Sequence, residues 1–599
     1  MADPDRFLNA ARAFLPVPDT QGGLFFASDL PGHPQVFRQD APDRFPIRVS
    51  TSRDRTLPVA TTPLGLLCRV DQGGNEIWQL GFLDNRGLRL VTTDPGAIHR
   101  DVRLTPDRKS AVLVTNPGGQ ADWVVARLDL EQRRMETLID RGGYWSCFGA
   151  TADGTIAVAE QHGSMHNDAY LLRPNGELTP LLPEARVVTA VLWAAGRIYA
   201  TADLGRGFVG LVEVEPASPG RAVRTLFDEP EDIRAAVPDP AGSRVALVVN
   251  AGIWDRLEVL ELPGGDRSVL PTPHRGVVYG DNATAPAEHV AWLDRELAVA
   301  WESPTHPSEV FQLPGGTRWT TAAGEPPPDL SDPEEVTIPG YQDLQVPALW
   351  FRSPLPRPAG LPRTAITLLH GGPEGQSRAN FQPQLAVWVA SGFDVLAPNV
   401  RGSTGYGYAF ASLDDRERRW DAVRDGVACG RWLKETGRAE RLVAMGASYG
   451  GFMTLAVIVE APDLWDAAID IVGIGDWHSF FRNTSGWRRA MRAVEYGDPE
   501  RPEDGEFLAR FSPLRQAERI RAHLLVIHGR NDPRVPVSEA MAIADAVPQS
   551  ELLLFDDEGH GLSRHGNRAR AYGRAVSFVT ERLGGAVEAA GSGGGSARG

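Results

Sequence analysis

The first half of the chain, from residue 20 to about 325, alternates short apolar runs with turns rich in Gly, Pro, Asp and Asn. Helical periodicity is almost absent there, which indicates short β-strands. A phrase of two strands recurs along this region. The first strand of the phrase is apolar and rich in small residues: LFFAS at 24, LGLLCRV at 64, SAVLVT at 110, TIAVAE at 155, RIYATA at 197, RVALVV at 244 and ELAVAW at 296. The second strand follows as QVFRQ, EIWQLGF, WVVARLDL, AYLLRP, GLVEVE, LEVLEL and EVFQLP.

Seven such units, with a spacing in the forties, predict a seven-bladed β-propeller over residues 20–325. One small sheet cannot bury both of its faces, whereas sheets stacked around a ring cover each other and leave few exposed edges. A string of β-sandwich domains is the alternative. It is less favoured, because sandwiches need more strands per core and no linkers separate the units.

A proline-rich acidic segment, GEPPPDLSDPEE at 324–335, marks a change of pattern. Apolar β-type runs then alternate with helical stretches, which predicts a doubly wound, mostly parallel sheet with helices on both faces. This α/β domain is assigned to residues 326–585. The predicted strands are TAITLLH (364–370), FDVLAPNV (393–400), RLVAM (441–445), AAIDIVG (467–473), HLLVIHG (523–529) and ELLLFDD (551–557).

The two ends of the chain are expected to lie outside these domains. The run RFLNAARAFL near the start is typical of a short amphipathic helix, so residues 1–19 are predicted to be a helical segment packed on a domain. The Gly- and Ser-rich residues 586–599 are predicted to be a flexible tail.

Composition narrows the function classes. At 599 residues the chain is too long for one core, and its net charge of −16 argues against a nucleic-acid partner. No apolar run reaches the ~18 residues needed to span a membrane, and the N-terminus lacks a signal-peptide pattern. The three cysteines, Cys68, Cys147 and Cys429, fit no disulfide framework, so a reducing, cytoplasmic location is expected. The Arg-, Ala- and Gly-rich composition suggests a bacterial source.

The stretch GASYGG at 446–451 follows the strand RLVAM and precedes a helical run. This is the strand–turn–helix context of a nucleophile elbow, in which a serine is exposed on a tight turn. Glycines at 446 and 450 fit that turn, because a Cβ at either position would collide with neighbouring backbone. Ser448 is therefore a candidate nucleophile.

A serine nucleophile needs a base and an acid that orients the base. In α/β-hydrolases the chain order is Ser, Asp or Glu, then His. Asp532 follows the strand HLLVIHG, and His560 follows the strand ELLLFDD, so the three candidates lie at three strand ends in this order. His528 and His565 are alternative bases, each more readily explained as structural or exposed. Three neighbouring acidic residues are expected to be turn or loop residues: Asp556, Asp557 and Glu558.

Backbone N–H groups must bind the oxyanion that forms during acyl transfer. The amide of Tyr449 lies at the start of the helix after the elbow, and HGGP at 370–373 directly follows an early strand. The expected donors are Tyr449 and Gly372, with Gly371 as a second choice in the HGGP loop. No zinc-ligand spacing or P-loop occurs, so no metal or organic cofactor is implied.

These motifs together resemble the prolyl oligopeptidase family, and most closely its acylaminoacyl-peptide hydrolase and dipeptidyl-peptidase-like branch. HGGP, NVRGSTGYG (399–407), GASYGG, HGRNDPRVP (528–536) and DEGHG (557–561) occur in the family's order over the last 260 or so residues. The resemblance implies a Ser448–Asp532–His560 triad. It also implies that Arg534 lies near the peptide groups of the substrate. It also implies that three aromatic residues line the apolar pocket for the residue before the cleaved bond: Trp477, Phe480 and Phe481. The alternative is that these side chains only pack the domain.

The sequence departs from the family pattern in three places. HGGP lacks the tyrosine that prolyl-specific members use as an oxyanion donor, which argues against cleavage after proline. The segment 537–551 is a little short. The propeller has no convincing glutamate pair for a free amino terminus, since EPED at 229–232 is too weak a match.

The sequence thus predicts a serine peptidase that hydrolyses short peptides, with N-acylated peptides among the candidate substrates, and it predicts that the propeller gates access. An esterase or amidase acting on a small acylated metabolite is the alternative, because its triad chemistry is identical. A propeller scaffold with an inactive hydrolase domain is a third hypothesis, but it would be expected to carry a broken triad. Homo-oligomers are possible.

Overall fold

We describe the structure from a computed structural model, which defines residues 5–216, 218–280, 284–324 and 330–584. Within these ranges, seven small antiparallel sheets are followed by one eight-stranded sheet. The seven-bladed propeller and the α/β-hydrolase domain predicted from the sequence are both confirmed. No helix of the described part is both long and apolar enough to cross a bilayer.

Each blade is built from consecutive strands, and six of the seven blades have four strands. The strands of blades one to four are β1 (Ala13–Pro18), β2 (Leu24–Ser28), β3 (Gln35–Gln39), β4 (Ile47–Arg48); β5 (Arg55–Thr62), β6 (Gly65–Asp71), β7 (Trp78–Asp84), β8 (Gly87–Leu90); β9 (His99–Leu104), β10 (Ser110–Thr115), β11 (Val124–Asp129), β12 (Arg134–Ile139); β13 (Trp145–Ala150), β14 (Ile156–Gly163), β15 (His166–Leu172) and β16 (Leu178–Leu181).

The last blade carries an additional short strand that pairs with its central strand. The strands of blades five to seven are β17 (Val187–Ala194), β18 (Arg197–Asp203), β19 (Gly210–Val214), β20 (Ala222–Phe227); β21 (Asp232–Pro238), β22 (Arg244–Ala251), β23 (Trp254–Glu261), β24 (Arg267–Val269); β25 (Val277–Val278), β26 (Val290–Leu293), β27 (Glu296–Ser303), β28 (His306–Leu313) and β29 (Thr317–Arg318).

The two strands of the recurring sequence phrase are the two middle strands of each blade, for example β10 and β11. Both faces of a middle strand are covered by neighbouring blades, so it reads as a continuous apolar run. The last, outer strand of a blade is more exposed. In β12, for example, only one of the six residues is buried. The sequence phrase therefore did not reveal the outer strands, and it also omitted buried first strands such as β1.

Side-chain contacts close the ring between the last blade and the first. The Ser308 hydroxyl donates to the Ala13 carbonyl at 2.8 Å, and the Gln39 amide donates to the Trp319 carbonyl at 2.6 Å. Because each blade uses consecutive strands, no strand is exchanged between the first and last blades.

The hydrolase sheet has the strand order β30-β31-β33-β32-β34-β35-β36-β37. The six strands from β32 onward are parallel to each other, whereas β30 and β31 are antiparallel additions that the sequence did not indicate. The bounds are β30 (Glu334–Pro339), β31 (Gln345–Phe351), β32 (Thr364–Leu369), β33 (Asp394–Pro398), β34 (Arg441–Ala447), β35 (Ala467–Ile471), β36 (His523–Gly529) and β37 (Ser550–Phe555).

Helices cover both faces of this sheet, and each face buries its own apolar core. The α-helices are α1 (Asp5–Leu8), α2 (Pro383–Ala390), α3 (Tyr408–Ala411), α4 (Arg419–Glu435), α5 (Tyr449–Glu460), α6 (Trp477–Asn483), α7 (Gly486–Tyr496), α8 (Pro502–Arg510), α9 (Val537–Ala546) and α10 (His565–Leu583). Single 3-10 turns occupy Pro117–Gly119, Pro286–His289, Tyr341–Asp343, Arg416–Arg418 and Pro513–Arg519.

The expectation of a helix along the first 19 residues is correct only for α1, whose Phe7 and Leu8 are buried in the hydrolase core. Ala13–Pro18 is a strand of the first blade, so the helical prediction for it was wrong. Its side chains are buried between blades, and this tertiary environment overrides helix propensity. The predicted tail, residues 586–599, lies outside the described residues.

Candidate active site

Ser448 sits at the junction of β34 and α5 with φ of 60° and ψ of −120°. This conformation is strained for a residue with a side chain, and such strain is typical of functional turns. Two glycines permit the turn. A Cβ on Gly446 would overlap the Gly450 carbonyl oxygen, and a Cβ on Gly450 would overlap the Leu369 carbonyl oxygen of β32. The turn therefore leaves the Ser448 side chain half-buried at the carboxyl edge of the sheet.

Asp532 and His560 are hydrogen-bonded to each other. His560 Nδ1 lies 2.7 Å from Asp532 Oδ2, and both side chains are nearly inaccessible to solvent. The other carboxylate oxygen accepts from the amides of Arg534 at 2.7 Å and Val535 at 3.0 Å. Burial alone would raise the pKa of Asp532, but His560, His528 and the Val535 amide lower it below its usual value. The carboxylate is thus ionised and oriented toward the imidazole.

Ser448 and His560 line one cavity of about 860 Å³ between the propeller and the hydrolase domain. The loops that follow β34, β36 and β37 deliver the serine, the aspartate and the histidine to this edge of the sheet. The structure therefore brings the three predicted residues to one site.

The alternative histidines have other contacts. His528 is fully buried, and its Nε2 lies 2.9 Å from the Val535 carbonyl and 3.5 Å from Asp532 Oδ2. His565 begins α10, and its Nε2 lies 3.7 Å from Asp29 of the propeller. Within the described ranges, neither histidine lines the cavity that Ser448 and His560 line.

The acidic residues near His560 have structural contacts. Asp556 pairs with Arg530 on the surface, and Asp557 pairs with Arg564. Glu558 is fully buried rather than at the surface, and it accepts hydrogen bonds from the Ser563 and Arg564 amides at the start of α10.

The HGGP loop lies against the elbow. A Cβ on Gly371 would lie 3.8 Å from the Ser448 Cβ, so this backbone borders the serine directly. The Gly372 carbonyl accepts a hydrogen bond of 3.2 Å from the Tyr496 hydroxyl of α7. Gly371 and Gly372 both line the cavity, whereas the Tyr449 side chain points into the core.

Of the three aromatic residues expected to form an apolar wall, Phe480 lines the cavity. Trp477 is fully buried behind it and packs against Phe452 and Tyr496, and Phe481 is also buried. Tyr496 lines the cavity and was not identified from the sequence.

Arg534 also lines the cavity, and its guanidinium pairs with Glu76 through two contacts of 2.8 Å. Glu76 belongs to the turn between β6 and β7 of the propeller, and Arg488 of α7 lies 3.3 Å from the same carboxylate. Burial would raise the pKa of Glu76, but the two guanidinium groups lower it. The sequence around Glu76 does not predict its ion pair with Arg534, because the two residues are 458 positions apart.

The sequence carries a periodic signal for one wall of the cavity, in the spacing of residues along α7. Arg488, Arg492 and Tyr496 recur every four residues along α7, so they share one helical face, and all three line the cavity. Glu374, just after HGGP, lies 3.4 Å from Arg492. By contrast, the weak EPED motif forms ion pairs of the propeller itself: Glu229 and Glu231 both pair with Arg256.

A propeller joined to a parallel α/β sheet, with a serine on a strained elbow beside an Asp–His pair, defines a serine hydrolase. Comparison with known proteins narrows this class. Residues 379–586 match the sequence model of the prolyl oligopeptidase family. This match lies within the hydrolase domain, and the chain is a serine peptidase.

Two relatives are similar to this chain in sequence, and one solved structure shares its fold. The chain is 27% identical to dipeptidyl aminopeptidase BIII of Pseudoxanthomonas mexicana, over 88% of this chain and 80% of the relative. It is 26% identical to the acylamino-acid-releasing enzyme of Sus scrofa, over 60% of this chain and only 49% of the relative. A puromycin hydrolase structure superposes with a TM-score of 0.81 over 97% of this chain and 96% of that one, at 20% identity.

Beneath the elbow lies a buried carboxyl group with no obvious role in the triad. Asp470 of β35 is fully buried, pairs in register with Gly446, and packs against Gly451 and Gly473. Neither carboxyl oxygen makes a well-formed hydrogen bond within the described residues. Burial raises the pKa of Asp470 to about 7, although the nearby Gly473 amide opposes this shift, and the charge of Glu539 adds a small contribution.

Asp470 is therefore expected to make stability pH-dependent. Its folded-state pKa is higher than the unfolded value, so ionisation disfavours the folded state as pH rises from about 4 to about 7. Asp470→Asn removes this ionisation. Its thermal midpoint relative to wild type should rise over that pH window and level off above it, and the corresponding gain in unfolding free energy should be on the order of a few kcal/mol.

Scanning calorimetry at a fixed scan rate from pH 4 to pH 9 measures the effect. Asp463→Asn is the matched control, because Asp463 is 77% exposed and should give a nearly flat difference. A difference for Asp470→Asn that does not change with pH would contradict the assignment of a buried, titrating carboxyl group.

Proposed function

We propose that this chain hydrolyses short peptides through an acyl-enzyme, with Ser448 as nucleophile, His560 as base and Asp532 as the group that orients His560. The observation that carries the proposal is the 2.7 Å Asp532–His560 pair in the cavity that Ser448 enters from its strained turn. A charged, amide-bound carboxylate on Nδ1 fixes the imidazole tautomer and leaves Nε2 to accept a proton.

In the proposed reaction, Ser448 Oγ attacks the substrate carbonyl carbon while its proton passes to His560 Nε2. The tetrahedral intermediate then expels the amine, which takes that proton from His560, and an ester to Ser448 remains. Water attacks the ester by the same route, again with His560 as base, and releases the acid. Asp532 stays ionised and stabilises the imidazolium formed in each half.

Two backbone amides, of Tyr449 and Gly372, are the proposed oxyanion donors, and Gly371 is the second choice in the HGGP loop. The start of α5 directs its first amides and its dipole toward the serine, which favours a developing negative charge. Gly371 lies against Ser448, so this loop is close enough to supply the second donor.

The proposed substrates are short because the site lies between the two domains. A second cavity, of about 1690 Å³, is lined mainly by the first strands of the propeller blades and reaches Arg488 and Arg534. A folded domain of 100 residues has a radius of gyration of about 13 Å and is too large to enter such a space. An extended peptide can enter, so the propeller would act as a size filter.

Charge pairing near the triad favours substrates with a blocked amino terminus. Glu76 is a propeller carboxylate in contact with Arg534, which lines the cavity, and Arg488 engages the same carboxylate. A free α-amino group would compete with two guanidinium groups for that carboxylate, whereas an N-acyl group makes no such demand. Phe480 is proposed to contact the side chain before the cleaved bond, with Trp477 and Phe481 supporting it from the core.

Ser448→Ala should lower kcat by about 10⁴-fold or more with the fold intact, because covalent catalysis is lost. Ser538→Ala is the control, since Ser538 is exposed on α9 in the same domain. A fluorophosphonate probe followed by peptide mass mapping should label Ser448 in the wild type and in the control. Active wild-type protein without label on Ser448 would sink the proposal.

The blocked-terminus preference is tested with one peptide library prepared with free and with acetylated N-termini. Acetylated peptides should be cleaved at least as fast as free ones, measured as kcat/KM by mass spectrometry of the products. A strong preference for free termini would refute the role given to Glu76. Hydrolysis restricted to small esters or aminoacyl amides would favour the alternative of a metabolite esterase or amidase.

A further inference from the structure

Arg419, the first residue of α4, is a buried cation that the catalytic steps above do not use. Only 2% of its side chain is exposed. Burying a guanidinium group costs several kcal/mol unless ion pairs and hydrogen bonds offset it, so its surroundings need a physical explanation.

The guanidinium lies beside two tyrosine rings. Its carbon is 5.1 Å from the ring centre of Tyr449 and 4.5 Å from that of Tyr496. The two rings are nearly parallel, with an interplanar angle of 10° and centres 6.4 Å apart. This geometry stabilises the cation through both π faces, and it fixes one ring relative to the other.

Each tyrosine belongs to one side of the proposed oxyanion hole. Tyr449 follows Ser448 in the chain, and its hydroxyl donates to Asp414 Oδ2 at 3.2 Å. Tyr496 reaches the opposite side, where its hydroxyl donates to the Gly372 carbonyl. The two backbone segments that carry the proposed donors are therefore each tied to a ring beside Arg419.

Polar contacts hold Arg419 between these segments. Its Nη1 lies 3.2 Å from the same Asp414 oxygen that Tyr449 uses. Its Nη2 donates to the Glu495 carbonyl at 3.3 Å, at the end of α7 and directly before Tyr496. A lysine ammonium could not satisfy both directions and also contact both rings, whereas the planar guanidinium with its several N–H donors can.

Acidic groups surround Arg419 and extend the network. Arg492 lies 3.0 Å from the Glu495 carboxyl and 3.4 Å from Glu374, so the chain of contacts extends to the loop after HGGP. Arg419 itself lies 3.6 Å from the Glu495 carboxyl. Burial, together with the charge of Glu374, raises the pKa of Glu495 well above its usual range. Burial raises the pKa of Asp414 to about 6.

We propose that Arg419 is a positioning residue that sets the separation of the two oxyanion donors by holding Tyr449 and Tyr496 in one stack. This inference rests on the proposed function, because it assumes that the Tyr449 and Gly372 amides bind the oxyanion. Arg419 itself touches no reacting atom. Its loss should weaken binding of the transition state and leave binding of the substrate nearly unchanged.

Arg419→Lys tests the proposal in the full-length protein with a peptide substrate and a peptidyl trifluoromethyl ketone, which forms a tetrahedral adduct with the serine. We expect kcat to fall about 10²-fold, KM to change less than about threefold, and the ketone to bind about 10²-fold more weakly. If Arg419 had only a structural role, the variant would have a lower thermal midpoint, but its ketone affinity would not fall relative to its KM.

Arg401→Lys is the matched control. Arg401 is also buried, with 7% of its side chain exposed, and it pairs with Asp425 of α4 at 2.7 Å without contacting either tyrosine of the stack. The control should lose stability to a similar extent and keep its kcat. Unchanged kcat and ketone affinity in folded Arg419→Lys would overturn the proposal.

A second variant covers the case in which Arg419→Lys does not fold. Tyr496→Phe keeps the ring and removes only the hydroxyl that holds the Gly372 carbonyl, and it should lower kcat about tenfold at unchanged KM. Wild-type kcat in this variant would overturn the inference. Failure of the proposed function is seen separately, as absent fluorophosphonate labelling of Ser448 in wild-type protein, and it would overturn both.

Discussion

The close approach of α5 to β32 is the contact on which the site depends. Gly450 lets the first turn of α5 meet the Leu369 carbonyl, and Gly446 lets the strand pass beneath it. With those two side chains absent, Ser448 is forced to positive φ at the carboxyl edge of the sheet. The parallel order of β34, β35, β36 and β37 then brings the loops of Asp532 and His560 to the same edge.

The remaining shape of the site comes from two bodies that are far apart in the chain. The hydrolase domain supplies the proposed nucleophile, the proposed base and the HGGP loop, and the propeller supplies the opposite wall, with Glu76 in contact with Arg534. Helix α7 connects the two, because its arginines contact both Glu76 and Glu374. The proposed limits on substrate size and charge therefore depend on the interface rather than on either domain alone.

Buried charge is concentrated under this site. Asp470 lies beneath the elbow, and Arg419 with Asp414 lies beneath the two tyrosines. Apolar side chains in these places would cost less desolvation. Each group instead contacts a backbone segment that carries the candidate nucleophile or a proposed oxyanion donor. We therefore relate the desolvation cost of these groups to the positioning of the site.

The sequence by itself determined the order of elements and most of the candidate chemistry. Strand period, blade repeat and motif order are local or periodic signals, so the propeller, the parallel strands and the positions of Ser448, Asp532 and His560 along the chain could be read from it. Only the tertiary structure decided the first-blade strand Ala13–Pro18, the approach of Glu76 to Arg534 and the stack around Arg419. These features join residues distant in sequence, and their stability comes from burial and pairing that no local pattern encodes.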